Sequence, residues 1–319
     1  MARPSAPAAP APGTPTPRNS GLPNSEPPQS GPTRVSRPLL GILYMCVACA
    51  LFPVMNGIVK LLTSSYEPIQ VVWFRIVVHL VLVALVFTPR MGLDLFRTQR
   101  IGLQFVSSVA MLLSTVLFFS AVKSVGVAEA IAVSFVSPLA VVFLAWPLLG
   151  ERITALRVAA VVLGFAGVLV VIRPGSSVFQ WASVLLVGSA LAYALYQIVI
   201  RRLAGIDQPA TSIFYSVLLG AILLSAVVPF IWQTPRSWTD WALFLSLGAL
   251  GGFGHYCVAK ALTYASANLI APLNYTQMIG SVIVGYLMFA EAPDIYTWMG
   301  TALIVCAGLL VTLQIRRPT

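Results

Sequence analysis

Apolar runs of about 20 residues recur along this chain from Leu39 almost to its end. A bilayer core of about 30 Å takes one helix of that length, because a backbone surrounded by lipid must satisfy its own hydrogen bonds. Ten such runs predict an all-α integral membrane protein with ten transmembrane helices. They are Leu39–Leu62, Ile69–Thr88, Ile101–Val122, Ala128–Leu149, Ala155–Ile172, Phe179–Ile200, Ala210–Ile231, Trp241–Leu262, Ala267–Ala290 and Ile295–Leu313. The short connections between them leave no room for a soluble catalytic domain.

Composition agrees with a lipid environment, since 58% of the residues are hydrophobic and only 9% are charged. Soluble domains carry about 25% charged residues. Residues 1–36 differ, because ten of the 23 prolines lie there among Ala, Ser, Thr and Gly. Such a segment buries too little apolar surface to order itself, so we expect a disordered cytoplasmic tail. It lacks the apolar stretch of a cleavable signal peptide, and the first helix is therefore expected to remain.

The arginines predict the orientation, because basic residues are retained on the cytoplasmic side of a membrane. With an inside N-terminus, 13 of the 19 basic residues fall on cytoplasmic segments. These are Arg3, Arg18, Arg34, Arg37, Arg90, Arg97, Arg100, Arg152, Arg157, Arg201, Arg202, Arg316 and Arg317. We expect a multi-pass protein of the cytoplasmic (inner) membrane with both termini in the cytoplasm. The net charge of +10 then faces anionic lipid and requires no nucleic acid partner.

The second half of the chain repeats the first at a shift of 140 or 141 residues. The shift aligns Glu151 with Glu291, Ser134 with Asn274, Ser137 with Gln277, Asn56 with Gln197 and Pro68 with Pro209. This predicts two five-helix repeats, residues 37–173 and 174–317. Because five is odd, the second repeat crosses the membrane in the opposite sense. Inverted repeats around a central site are common in secondary transporters.

Glu151 and Glu291 lie in the turns that precede the fifth and tenth predicted helices. Thr154 and Asp294 are good N-cap residues there, and a carboxylate before a helix start is favoured by the helix dipole. These roles favour a structural hinge, and a gating or coupling role is the alternative. Gly150 can end the preceding helix in a left-handed conformation, whereas Ala290 does so less easily.

The segment "SFVSPLAVVFLAWPLLGERITALRVAAVVLGFAGVLVVIRPG" and its weaker copy from Ala261 to Arg316 resemble the paired modules of the EamA type in the drug/metabolite transporter superfamily. The resemblance covers nearly everything after the tail. It implies ten helices, passage of small metabolites, and a central cavity lined mainly by helices one, three, four, six, eight and nine. The second copy departs from the motif, with "AEAP" in place of "GERI".

Polar residues within the apolar runs are the candidate substrate-binding residues, because such side chains are unfavourable in lipid unless they face water, a partner or cargo. Helix nine offers Asn274 and Gln277 on one face, with Tyr275 beside them. Ser134 and Ser137 are their repeat counterparts. Pro138 and Pro272 should also leave backbone carbonyls free. Hydrogen bonds that merely join helices are the alternative.

The remaining candidates are Asn56, Tyr193, Gln197, His255, and the pair Arg75 and His79, which share one helix face. Tyrosines with amides suit a planar or amphipathic cargo. Arg75 is expected either to pair with Glu67 or Glu129 or to bind a carboxylate or phosphate of the cargo.

These features predict a secondary transporter that moves a small organic metabolite, such as an amino acid, by alternating access. Uptake of a bulkier vitamin or nucleoside-like solute, and a non-transporting membrane scaffold, are the alternatives. No cofactor or metal motif is found, and the scattered Ser and His residues do not form an intramembrane catalytic group. Cys46 and Cys49 spell C-x-x-C within an apolar helix and are read as packing residues. The direction of transport, coupling to an ion and formation of a homodimer are left as open alternatives.

Overall fold

The computed structural model describes residues 38–149, 155–173, 180–203, 206–264 and 271–315, and these residues form helices and short connections without a β-strand. The first helices are α1 (Pro38–Thr63), α2 (Pro68–Met91), α3 (Ile101–Val122), α4 (Val127–Ser134), α5 (Ser137–Leu149) and α6 (Ala155–Ile172). The later ones are α7 (Trp181–Leu203), α8 (Pro209–Ile231), α9 (Trp238–Tyr264), α10 (Thr276–Phe289) and α11 (Ile295–Ile315). Short 3-10 helices cover Gly92–Phe96 and Ala271–Tyr275.

Six helical segments of the described chain are long and apolar enough to cross a bilayer. They are Pro38–Thr63, Pro68–Phe96, Ile101–Val122, Trp181–Leu203, Pro209–Ile231 and Trp238–Val258. Val127–Val141, Val158–Ile172 and Ile295–Leu310 are shorter apolar helices. The architecture is therefore that of an all-helical membrane protein.

Two of the predicted helices are interrupted. The run Ala128–Leu149 divides into α4 and α5 around Phe135 and Val136, and a 3-10 turn precedes α10 in the run Ala267–Ala290. Pro138 has no N–H to donate to the Ser134 carbonyl, so the α-helical pattern cannot continue there. The chain tightens instead, and Val136 N–H donates to the Val133 carbonyl at 3.1 Å. The expectation of one continuous helix at each site was wrong.

The helices pack closely in the pairs α3 with α7, α1 with α9, and α6 with α11. Glycines of the run "GALGGFG" in α9 also permit a close approach of α2 to α9. A Cβ atom on Gly248 would lie 2.3 Å from the Val78 Cβ atom and 2.8 Å from the His79 backbone nitrogen. A side chain at this position would force α2 and α9 apart.

The turn between α10 and α11 follows the predicted chemistry. Asp294 Oδ1 accepts hydrogen bonds from the Thr297 N–H and hydroxyl, both at 2.8 Å, which confirms Asp294 as the N-cap of α11. Burial alone would raise the Asp294 pKa, but these bonds and the charge of Arg173 lower it below its ordinary value. Ala290 adopts the left-handed conformation, with φ 55° and ψ 27°. Gly150, Glu151, Arg152 and Thr154, the corresponding turn of the first repeat, lie outside the described residues.

Candidate functional site

A cavity of about 470 Å³ lies between the helices of the bundle. Ten of the eleven residues selected from the sequence line it. They are Asn56, Arg75, Ser134, Ser137, Tyr193, Gln197, His255, Asn274, Tyr275 and Gln277. His79 does not line the cavity and is buried behind His255, whose ring stacks on it at 5.9 Å between centroids. The described chain thus brings the candidates from both halves to one place.

The interruption between α4 and α5 places Ser137 at the cavity wall opposite α7. Gln197 Nε2 donates a hydrogen bond to Ser137 Oγ at 3.0 Å. The Ser134 hydroxyl donates to the Ala130 carbonyl at 2.8 Å within its own helix. Gln197 therefore keeps its amide oxygen available for a further donor, since the bond to Ser137 uses only its nitrogen.

The 3-10 turn before α10 presents a second polar group. Gln277 Nε2 lies 3.4 Å from Asn274 Oδ1, a long contact that involves one donor of Gln277 and the oxygen of Asn274. The ring of Tyr275 packs edge-on against Phe135 at 5.2 Å. Gly308 of α11 allows this position, because a Cβ atom there would lie 1.6 Å from the Tyr275 hydroxyl oxygen.

Aromatic rings supply the flat surfaces of the site. Tyr193 stacks on Tyr196 at 5.6 Å between centroids. His255 lies between His79 and Phe52, with the Phe52 ring centroid 5.4 Å away. A planar solute could lie against such rings while the amides fix its orientation.

Arg75 corrects one sequence expectation, because it pairs with neither Glu67 nor Glu129. Glu67 is exposed beyond the start of α2, while Glu129 accepts a hydrogen bond from Ser183. Arg75 Nη1 donates instead to Thr115 Oγ1 at 3.3 Å, and its Cζ atom lies 5.7 Å from the Phe119 ring centroid. Arg75 lies seven residues into α2, and its side chain lines the cavity.

Several lining residues were not selected from the sequence. They include Phe52, Ser114, Thr115, Phe118, Phe119, Phe135, Ser189 and Gly308. Ser114 and Thr115 did carry the same signal as the chosen residues, namely polarity in the middle of an apolar run. A phenylalanine in an apolar run does not indicate a cavity, because its side chain is as favourable against lipid as in a cavity wall.

A polar layer connects the two halves at the end of the bundle where α1 ends and α2 begins, here called the Lys60 end. Lys60 forms an ion pair with Glu291, and it also donates to the Val125 carbonyl at 2.8 Å. Arg173 pairs with Asp294 at 2.7 Å, and Tyr66 donates to Asp240 at 2.6 Å. None of these residues lines the cavity in the described chain. Glu291, expected to serve mainly as a hinge, thus holds a cation of the other half.

A separate polar cluster occupies the opposite end. Asp207 accepts hydrogen bonds from Thr98 Oγ1, from the Gln99 N–H at 2.9 Å and from Gln104 Nε2 at 2.8 Å. Partial burial would raise the Asp207 pKa, but these three donors lower it below its ordinary value. The cluster joins the start of α3 to the connection between α7 and α8.

Apolar helices packed around a central cavity with polar and aromatic walls define an integral membrane protein that can hold a small solute. The chain belongs to the EamA-like transporter family, which matches residues 39–173 and 180–313. It is therefore a multi-pass membrane protein of a family of small-molecule transporters, as the sequence resemblance predicted.

Relatives with known activities align with most of the chain. A riboflavin transporter of Rhizobium johnstonii (strain DSM 114642 / LMG 32736 / 3841) is 30% identical over 278 residues, covering 86% of this chain and 92% of the relative. The pseudopaline exporter CntI of Pseudomonas aeruginosa (strain UCBPP-PA14) is 27% identical, with coverage of 85% and 95%. An S-adenosylmethionine uptake transporter of Rickettsia prowazekii (strain Madrid E) is 26% identical, with coverage of 86% and 92%.

A solved crystal structure superposes with a TM-score of 0.60 at 20% identity. The superposition covers 88% of this chain and 97% of the other. At this identity the likeness concerns the fold alone.

Proposed function

We propose that this protein is a secondary transporter of a small organic metabolite in the cytoplasmic membrane, working by alternating access of two inverted five-helix repeats. The central cavity carries the proposal, because residues 37–173 and 174–317 both contribute polar side chains to its wall. Asn56 and Ser137 come from the first segment, and Gln197 and Asn274 come from the second. A membrane scaffold would not need such matched residues around a cavity.

The polar layer at the Lys60 end supports an assignment of the access state. The arginine distribution favours an external position for that end. The layer lies beyond the cavity at this end, whereas Met45, Val258 and Gln277 continue the wall toward the opposite end. We therefore assign the structure to an inward-facing state in which the Lys60 end is closed.

The cavity lining favours a planar metabolite over a small aliphatic amino acid. Tyr193, Tyr275 and Phe135 offer rings for stacking, and the amides of Asn274 and Gln277 offer both donors and acceptors. The relatives named for riboflavin and S-adenosylmethionine carry solutes with fused heteroaromatic rings. A vitamin-like or nucleoside-like solute is the class that fits best.

Replacing Asn274 or Gln277 by alanine should weaken solute binding. A solute polar group left buried without its partner loses on the order of 1 to 3 kcal/mol of binding free energy. The purified protein is reconstituted in lipid vesicles, and uptake of labelled riboflavin, S-adenosylmethionine and tryptophan is measured. Affinity for each transported compound is then compared between the wild type, Asn274→Ala and Gln277→Ala.

Gln208→Ala is the matched control, because Gln208 is an exposed amide that makes no side-chain capping bond. It should leave affinity unchanged. If Asn274→Ala and Gln277→Ala keep full affinity but lower the melting temperature, the two amides serve only to join helices. If the vesicles accumulate none of the compounds, the proposed solute class is wrong.

Single cysteines should reveal the orientation. After Cys46, Cys49, Cys257 and Cys306 are replaced, one cysteine is introduced at a time at the exposed positions Ser64, Ser237, Gln99 or Gln208. An impermeant maleimide added to intact cells should label the first two positions and spare the last two. Labelling of Gln99 and Gln208 instead would reverse the topology and the access state.

A further inference from the structure

Arg75 is a buried cation whose hydrogen-bonding capacity is largely unused. Its side chain lines the cavity and is only 5% exposed. One nitrogen, Nη1, donates to Thr115 Oγ1 at 3.3 Å, while Nε has no acceptor. The Thr115 hydroxyl is neutral and itself donates to the Met111 carbonyl at 2.9 Å. Among the described residues, the second N–H of Nη1 and the two N–H groups of Nη2 have no acceptor, and these three donors are available to an occupant of the cavity.

Within the described chain, no carboxylate balances the charge of Arg75. The residues that line the cavity include no Asp and no Glu. The ring of Phe119 approaches the guanidinium at 5.7 Å, but a cation–π contact supplies only part of the stabilisation that a counter-ion gives. The residue of α9 next to Arg75 is Gly251, which has no side chain. Even a Cβ atom added to Gly251 would lie 3.6 Å from Arg75 Nε. The guanidinium is thus held by neutral groups beside an open volume.

An occupant that displaces water from this guanidinium must replace the lost acceptors, because a buried charge without partners is strongly unfavourable. A carboxylate or a phosphate does so best, since two of its oxygens match the planar fork of donors. A neutral amide offers one carbonyl oxygen and no charge.

We propose, building on the transport function above, that Arg75 binds an anionic group, a carboxylate or a phosphate, of the transported solute. The planar part of the solute then extends toward Tyr193 and Tyr275, which line the same cavity. The solute class is narrowed to planar metabolites that carry an acidic group.

Two pairs of probes that differ only in the acidic group test this assignment. Indole-3-acetate and indole-3-acetamide form the carboxylate pair, and riboflavin 5′-phosphate and riboflavin form the phosphate pair. Affinity is measured by calorimetry on the protein in lipid nanodiscs. At least one anionic member should bind about tenfold or more tightly than its neutral partner, the range expected for a charged hydrogen bond. The pair that shows the preference identifies the group.

Variants separate Arg75 from general effects of charge. Arg75→Gln should abolish the preference, and Arg75→Lys should retain part of it because the charge stays while the fork is lost. Lys123→Gln removes an exposed cation outside the cavity and should change nothing. Melting temperatures identify a variant that fails to fold. If Arg75→Gln fails to fold, the affinities of the wild type and of Arg75→Lys for the two probe pairs test the inference.

Equal affinity within both wild-type pairs, or a preference that survives in Arg75→Gln, overturns the inference. The vesicle uptake experiment tests transport separately. Uptake of neutral compounds without any preference for anions would refute the proposed role of Arg75 in solute binding. The same result would still support the transport function. Arg75-dependent anion binding without uptake of any compound would instead count against transport.

Discussion

Replacing Gly300 by alanine is expected to lower the melting temperature of the protein strongly. Gly300 lies where α11 crosses α6. An added Cβ atom would approach the Val171 Cγ2 atom to 2.4 Å and the Gly167 carbonyl oxygen to 2.5 Å. The carbonyl belongs to the α6 backbone, so relief requires the two helices to separate. Overpacking of this kind costs typically about 1 to 3 kcal/mol of folding free energy, and contact with backbone favours the upper part of that range.

Gly102→Ala is the control, because a Cβ atom on Gly102 would meet no heavy atom within 4 Å. Gly102 lies in α3, where alanine is favoured over glycine by up to about 1 kcal/mol. Thermal unfolding of both variants in the same nanodiscs should show a decrease for Gly300→Ala and no change or an increase for Gly102→Ala. An unchanged melting temperature for Gly300→Ala would contradict the close crossing of α6 and α11.

Helix positions were largely predictable from the sequence because a bilayer imposes a minimum apolar length. The helix Ile101–Val122 begins and ends where its apolar run does, and the helix Ala155–Ile172 ends where its run does. The interruptions near Pro138 and Pro272 were less predictable. A proline removes one donor, but whether the helix bends, tightens or stops depends on the neighbouring helices that satisfy the released groups.

The polar residues of the site were predictable, because polar side chains are unfavourable in lipid. An amide in an apolar run indicates a structural or functional role, because it is unfavourable in lipid. This argument selected Asn56, Gln197 and Asn274. The aromatic wall at Phe119 and Phe135 has no such signature. Its assembly depends on how α3 packs against the interruption between α4 and α5, and the hydropathy of a nearly uniform apolar run does not specify that.

Pairings between distant residues were the least predictable. The sequence left two roles open for Arg75, and only the packing of α2 against α3 shows that Thr115, rather than a glutamate, is its partner. The Lys60 and Glu291 pair joins residues 231 positions apart and could not be found from either turn alone. A one-dimensional pattern locates polar residues, but the choice of partner is made by tertiary contacts.

Neutralising Glu291 is expected to open the Lys60 end of the protein. Glu291→Gln or Lys60→Gln removes an ion pair between the two halves. The pair is partly buried, with side-chain exposures of 12% for Lys60 and 37% for Glu291. Loss of such a pair should shift the balance between the access states about tenfold, since its contribution falls between that of an exposed and a buried salt bridge. A single cysteine at Asn56, within the cavity, should then react faster with impermeant maleimide added from outside.

Charge reversal distinguishes a gate from a general loss of stability. The double variant Lys60→Glu with Glu291→Lys should restore slow labelling of the Asn56 cysteine, whereas each reversal alone should speed it. Fast labelling in the double variant would show that the site requires these two side chains in their native places for reasons other than pairing.

The sequence repeat allows a further test, whose expected result a purely local structural effect would not produce. A shift of 140 residues aligns Glu291 with Glu151, which lies outside the described residues, and a shift of 141 aligns Lys60 with Arg201. If the two halves exchange conformations, Glu151 and Arg201 should close the cytoplasmic end in the outward-facing state. Glu151→Gln should therefore favour the inward-facing state and slow outside labelling of the Asn56 cysteine, opposite to the effect of Glu291→Gln. Effects of the same sign in both variants would contradict the inverted repeat, because symmetry-related gates on opposite faces must bias the equilibrium in opposite directions.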